Sequence, residues 1–247
     1  MWSNHINYYL RMRTHQLVLS WIENELSGGR LTVGGRLPAE RTLAEQLKVS
    51  RTSVREAIRI LEAMGVVRAG VGSGPEAGTV VISDPTAALG SALRLHVATQ
   101  HLPVADIVET RVLLESWAVA KAGPDAPELE EASALLEAMA AEDLAVSDFL
   151  ALDVRFHLAL ADAAGNAVVS AMMGSLRESI QGYAAELTSG LPDWEATASR
   201  LRAEHQDILA AIRNDDGGQA ARLVAAHIEG YYKEAGLASA GTEPARP

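Results

Sequence analysis

Residues 37–67 read LPAERTLAEQLKVSRTSVREAIRILEAMGVV, and their apolar spacing decides the fold. Pro38 sits where a helix can begin, because its fixed φ suits a first helical turn that has no use for its missing N–H. Leu43, Ala44 and Leu47 then form an apolar stripe that ends near Lys48 and Val49. Ser50 is a candidate N-cap for the helix that follows. From Arg51 to Met64, the residues Val54, Ala57, Ile58, Leu61 and Met64 recur at steps of three and four, and Gly65 supplies a C-terminal stop. Two helices separated by about three residues must cross sharply, which is a helix-turn-helix.

Upstream, Leu17, Val18, Trp21, Ile22 and Leu26 carry helical spacing from Thr14 to Ser27, and Gly28-Gly29 ends that helix. Downstream, Val66-Val67-Arg68 and Thr79-Val80-Val81-Ile82 are short β-prone runs around the Gly/Pro-rich GVGSGPEAG, so a β-hairpin wing is expected. Three helices and a wing make residues 1–83 a winged helix-turn-helix domain, with 1–13 as an N-terminal extension. Ser83-Asp84-Pro85 reads as a hinge. Beyond it, helical patterns over 86–100, 103–122, 127–142, 146–164, 166–190, 193–213 and 217–236 predict an all-α antiparallel bundle of about seven helices spanning 84–236. Residues 237–247 lack periodicity and are expected to be a disordered tail. The fold class is therefore mainly α.

Of the 247 residues, 48% are apolar and 21% charged, the composition of an ordinary globular chain. No uncharged apolar run reaches about 18 residues, and the start lacks the pattern of a signal peptide. A cytoplasmic protein without membrane contact is expected. The absence of cysteine excludes disulfides and thiolate metal sites, leaving His and carboxylate as strong ligands. A net charge of −11 argues against nucleic acid until the chain is divided. Residues 1–83 hold 10 Lys+Arg against 7 Asp+Glu, whereas 84–247 hold 11 against 25. This is the asymmetry of a DNA-binding head on an acidic body.

Within the second helix of the pair, Arg51, Arg55 and Arg59 fall at i, i+4 and i+8, opposite the apolar stripe. Arginine forks suit guanine edges and phosphates, and Thr52 and Ser53 occupy the first turn, where recognition helices meet DNA. Charge on an exposed helical face is also ordinary, and three arginines alone do not decide the matter. The whole stretch, however, closely resembles the winged helix-turn-helix of the GntR family of bacterial regulators. Leu37, Pro38, Glu40, Arg41, Leu43, Ala44, Val49, Ser50, Arg51, Thr52, Val54, Arg55, Glu56, Ala57, Leu61, Glu62 and Gly65 match its pattern by type and spacing. The resemblance implies that Arg41, Arg51, Thr52, Ser53 and Arg55 contact DNA and that Gly72 in the wing approaches the minor groove. Two features depart from the pattern: Lys48 replaces a turn glycine, which predicts a positive φ, and the wing is longer and carries Glu76. One head covers few base pairs, so a homodimer on a palindromic double-stranded operator is expected.

In the second domain Asp153 and His157 are spaced i, i+4 and share a helical face. His205 lies nine residues before Asn214 and His227 nine after Gly218, so a helical hairpin turning through NDDGG brings both imidazoles to one level. His5 and His15 precede the winged domain, and His96 and His101 are five apart, a spacing that separates side chains on a helix. Imidazole with carboxylate suits a divalent ion, zinc first, with Ni, Mn or Fe(II) as the others.

This domain resembles the FCD ligand-binding domain of the FadR subfamily of GntR regulators, through D-x-x-x-H in LDVRFH, AGN at 164–166, E-H-x-x-I-L-x-A-I at 204–212 and the A-x-x-x-x-x-H that ends at His227. The resemblance implies that Asp153, His157, His205 and His227 bind a divalent metal and that open positions on it take an organic acid. It also implies that Arg111, in the Glu109, Arg111, Glu115 pattern, binds an effector carboxylate. Arg111 can equally pair with Glu115 at i+4. Asn166 is a pocket candidate that can equally be a helix cap. The expected function is a transcriptional regulator, repressor or activator, whose operator affinity changes with a small carboxylate effector, and not an enzyme. A metal-dependent enzyme and a regulator with a purely structural metal stay open.

Overall fold

The computed structural model describes residues 14–70, 78–99, 101–141, 144–191 and 193–236, with only the backbone for 181–186 and 189. Gly72, the extension 1–13 and the tail 237–247 fall outside these residues. The chain divides into two compact units between Ala88 and Leu89, a few residues past Ser83.

The first unit contains α1 (Thr14–Ser27), α2 (Glu40–Leu47), α3 (Arg51–Ala63) and an antiparallel pair, β1 (Val67–Gly70) with β2 (Gly78–Val81), in the register Val67↔Val81. Helix α2 begins at Glu40 with Ala39 as its cap, so Pro38 precedes the helix instead of opening it. Lys48 ends α2 at φ 53 and ψ 42, in the left-handed region expected from its place in the turn. Its N–H reaches the carbonyls of Ala44 and Glu45, which otherwise end the helix unpaired. Ser50 caps α3 by accepting from the Ser53 N–H at 3.0 Å. Gly65 has φ +69, and a Cβ there would lie 2.0 Å from the Asp84 carbonyl oxygen, so the turn out of α3 requires glycine. Arg36 bridges Val80, and the Leu37 N–H donates to the Thr79 carbonyl, so the segment before α2 lengthens the wing sheet, which the sequence did not foretell. Val18, Ile22, Leu43, Val54, Ala57, Leu61, Val67 and Val81 form the core. Each of the larger aliphatic side chains contributes about 1.5–3 kcal/mol on burial.

The second unit follows α4 (Pro85–Ala98), which straddles the division, and contains α5 (Val104–Lys121), α6 (Glu128–Met139), α7 (Val146–Asp162), α8 (Ala167–Ser189), α9 (Trp194–Arg213) and α10 (Gly217–Glu234). Short connections reverse the chain between successive helices from α6 onward. Asn166, Asp193 and Asp216 cap α8, α9 and α10 with side-chain oxygens. Helix α5 packs on α7, α8 and α10, which makes it the central helix. Its buried stripe reads Ile107, Val108, Arg111, Glu115, Ala118 and Val119, with two opposite charges where apolar residues would otherwise sit. Those charges mark the level of the site. Phe149, Phe156, Leu160, Ile208, Ile212 and Ile228 lead the apolar packing around it.

Candidate functional site

Three helices bring Asp153 and His157 from α7, His205 from α9 and His227 from α10 to one place, with one ligand atom from each lying within 4.8 Å of the others. The α9 and α10 imidazoles meet level with each other, Nε2 to Nε2, at 3.2 Å. His157 Nε2 is also 3.2 Å from His227 Nε2, and Asp153 Oδ1 lies 3.2 Å from His205 Nε2 and 3.7 Å from His157 Nε2. The three histidines are buried.

The surrounding carboxylates select the tautomers. Glu204 Oε2 accepts from His227 Nδ1 at 2.8 Å. Glu115 Oε2 lies 2.6 Å from His157 Nδ1, although it sits off the ideal donor axis. A proton on each Nδ1 leaves each Nε2 as a bare lone pair in the neutral ring, and those two lone pairs face one another. Such an arrangement repels itself unless a cation lies between the nitrogens. Donors around one ion at a bond length of about 2.1 Å stand about 3.0–3.4 Å apart, which matches the three 3.2 Å separations, while the remaining pairs lie within 4.8 Å. The donor set and its spacing therefore fit a divalent metal. Burial pushes the His157 imidazole down to about 3, with Arg177 adding to the shift and Glu115 and Asp153 opposing it. Burial likewise lowers His205, against its hydrogen bond with Asp153. Both rings are neutral at neutral pH, the form that ligates metal.

Arg177 of α8, which no sequence motif singled out, ties the group together. Its NH1 donates to Asp153 Oδ2 at 3.2 Å and its NH2 to both Glu115 oxygens at 3.3 Å. Asp153 thus turns Oδ2 to the guanidinium and Oδ1 to the imidazoles. The signal was in the sequence: Arg177 interrupts the apolar series Met173, Leu176 and Ile180 on the buried face of a helix. Arg111 pairs with Glu115 through Nε at 3.0 Å and donates through NH1 to the Tyr232 hydroxyl at 2.8 Å, so its intrahelical partner is real. Burial raises the Glu115 and Asp153 carboxyls, but the Arg177 guanidinium and the facing His157 imidazole outweigh it, joined by Arg111 at Glu115 and by the His205 hydrogen bond at Asp153. Both groups end well below the usual carboxylate range.

A cavity of about 180 Å³ opens on this group and is lined by Arg111, Asp153, His157, Arg177 and His227 among others. Asn166 does not line it. Its Oδ1 accepts from the Val168 and Val169 N–H groups at 3.1 and 3.3 Å, so the pocket expectation for Asn166 gives way to the cap.

In the first unit, Arg41, Arg51, Thr52, Arg55 and Arg59 are exposed. Arg51 has no ion-pair partner among the described residues, whereas Arg55 Nε donates to Glu40 Oε2 at 2.7 Å. Arg41 lies 3.9 Å from Glu45 on its own helix. Ser53 departs from its expected role. Its side chain is buried, and its hydroxyl pairs with Thr14 Oγ1 at 2.7 Å and Ser50 Oγ at 3.0 Å, so it joins α3 to α1 instead of facing outward. The cap and the inward face of α3 both claim this residue.

The chain matches the bacterial regulatory proteins of the gntR family over residues 15–76 and the FCD domain over residues 106–230. It is similar to the HTH-type transcriptional regulator LutR of Bacillus subtilis, at 29% identity over 85% of this chain and 98% of that protein. The putative L-lactate dehydrogenase operon regulatory protein of Escherichia coli is 31% identical over 80% of this chain and 77% of its own length. The transcriptional repressor NanR of Klebsiella aerogenes is 28% identical over 89% and 84%. A Streptococcus agalactiae GntR structure shares the fold, with a TM-score of 0.58 at 23% identity over 90% of this chain and all of that one. Among the described residues no helix is long and apolar enough to cross a membrane. With a helix-turn-helix and wing in one unit and an Asp-His group at the centre of a helical bundle in the other, the chain belongs to the GntR family and is a transcriptional regulator carrying an FCD domain.

Proposed function

We propose that the chain represses a metabolic operon as a homodimer on a palindromic operator, and that a small organic carboxylate bound in the FCD domain changes its affinity for DNA. The single observation that carries this reading is the cavity that opens on Asp153, His157 and His227 with Arg111 and Arg177 in the same wall. Asp153, His157, His205 and His227 would hold a divalent ion, zinc before Ni, Mn or Fe(II). When bound, that ion supplies a Lewis-acidic, positively charged point for a carboxylate or hydroxyl oxygen. The protein's own charges around the cavity balance, Arg111 and Arg177 against Asp153 and Glu115, so a dipositive ion would turn the wall toward anions. Arg111 then offers an effector carboxylate a charge-assisted partner, with Tyr232 and Glu115 fixing its plane.

In the head, Arg51, Thr52, Arg55 and Arg41 are the proposed DNA contacts, with Gly72 as a wing contact. The names of relatives that regulate a lactate dehydrogenase operon or act as a repressor point in the same direction. Titrating a selected operator with zinc-loaded protein, with and without a panel of short organic acids, tests the proposal. An acid that shifts operator affinity between about fivefold and 150-fold supports it. Affinity indifferent to every acid contradicts it.

A further inference from the structure

Among the described residues, the cavity has a polar floor and an apolar wall. The floor holds Asp153, His157, Arg177 and His227, and the wall holds Leu150, Val154, Ile180, Leu201 and Ile228. Helix geometry stacks one on the other. Val154 lies three residues before His157 on α7, Ile180 three after Arg177 on α8, and Leu201 four before His205 on α9. Steps of three or four keep a side chain on one face and move it along by about 5 Å. Because successive helices reverse, stepping back along α7 and α9 and forward along α8 leads to the same end of the bundle. Of the polar tips on that side, the Tyr231 hydroxyl is engaged with Thr188 Oγ1 at 2.7 Å and the Tyr232 hydroxyl with Arg111 at 2.8 Å, and the remaining one is the exposed Ser147 hydroxyl at the start of α7.

Resting on the carboxylate-effector reading above, we infer that the effector is an aliphatic monocarboxylic acid with a short branched alkyl chain. Its acid end faces Arg111 and the Asp-His group, and its alkyl end lies against Leu150, Val154, Ile180 and Leu201. A cavity of about 150 Å³ accepts benzene, so about 180 Å³ suits six to eight non-hydrogen atoms. A second carboxylate or a row of hydroxyls laid on this wall would give up water and gain at most the single Ser147 hydroxyl. An alkyl chain instead gains from every CH₂ it buries.

The test keeps the acid end constant and varies the tail. Zinc-loaded full-length protein is titrated calorimetrically with lactate, 2-hydroxybutyrate, 2-hydroxyisovalerate, malate and gluconate. Each added CH₂ is expected to tighten binding about fourfold, making 2-hydroxyisovalerate about fifteenfold tighter than lactate, with malate and gluconate weaker than lactate. Val154→Thr, nearly the same volume with one hydroxyl added, is expected to reduce the preference for 2-hydroxyisovalerate over lactate by about threefold or more. If that variant fails to fold, the series on the unaltered chain decides. Lactate binding as tightly as 2-hydroxyisovalerate, or malate or gluconate binding best, overturns this inference alone. Binding by none of the five acids overturns it together with the carboxylate-effector reading.

Discussion

The head and the bundle use charge in opposite ways. In the head, Arg41, Arg51, Arg55 and Arg59 stand in solvent on the outer faces of α2 and α3, while the helices bury only apolar stripes and Ser53. In the bundle, Arg111, Glu115 and Arg177 are buried with three histidines, and each charge is satisfied by another. A surface built to meet a polyanion keeps its cations in solvent, even where Glu40 engages Arg55. A site built to hold an ion and a small anion must position its charges before either arrives, which requires a closed network. Mutations should therefore act through affinity in the head and through metal content and stability in the bundle.

The largest effect that would break this contrast concerns the histidines. His205→Ala and His227→Ala should each eliminate bound metal while leaving basal operator binding intact, because the head has its own core. Elemental analysis and operator titration of the same preparations check both halves. Full metal occupancy in both variants would remove the site from the account. Next comes Glu115→Ala, which strips both buried guanidinium groups of their shared carboxylate. The expected loss is about 3–5 kcal/mol of bundle stability by denaturant unfolding, since an uncompensated buried charge is costly. A loss under 1 kcal/mol would mean that Arg111 and Arg177 are less buried than they stand here.

Smaller effects sharpen the head. Arg51→Ala should weaken operator binding by about 1–3 kcal/mol if the fork reads a base. Arg55→Ala should cost less, because Arg55 must leave Glu40 to reach DNA, and Glu40→Gln should tighten binding by freeing it. Equal losses for Arg51→Ala and Arg55→Ala, with no gain from Glu40→Gln, would show that the Glu40 pair does not compete with DNA. Lys48→Gly should stabilise the head by about 1 kcal/mol, because the left-handed φ of 53 is strained for a residue with a Cβ. Thermal unfolding that shows no gain would place the strain elsewhere.

How much the sequence disclosed follows from the same contrast. The head is contiguous: its periodicity, Ser50 cap, Gly65 stop and turn at Lys48 are local, and so they are legible in one stretch. What was hidden there was non-local, as in the pairing of Leu37 with Thr79 and of Ser53 with Thr14. In the bundle, each helix was visible through its period, and His205 with His227 through their equal distances from a turn. Asp153 and His157 could be joined to them only through the motifs of a known domain, since nothing local says that α7 packs beside α9 and α10. Arg177 belongs to no such motif, and Glu204 stands in one only as the residue before His205. Their roles appear only when α8 is laid against α5 and α7, and α9 against α10. Asn166 shows the reverse case, in which a residue at a helix start spends its side-chain oxygen on the cap and does not line the cavity.

The central claim is that the Asp-His group makes the effector response possible while the head binds DNA without it. The direct measurement is operator affinity of the full chain, stripped of metal and then reloaded with zinc, each with and without 2-hydroxyisovalerate. Both forms are expected to bind the operator with similar affinity without the acid, and only the reloaded form is expected to shift, by at least fivefold, when it is added. The same shift in the stripped protein, or none in a reloaded protein whose zinc is confirmed at one per chain, would contradict the claim.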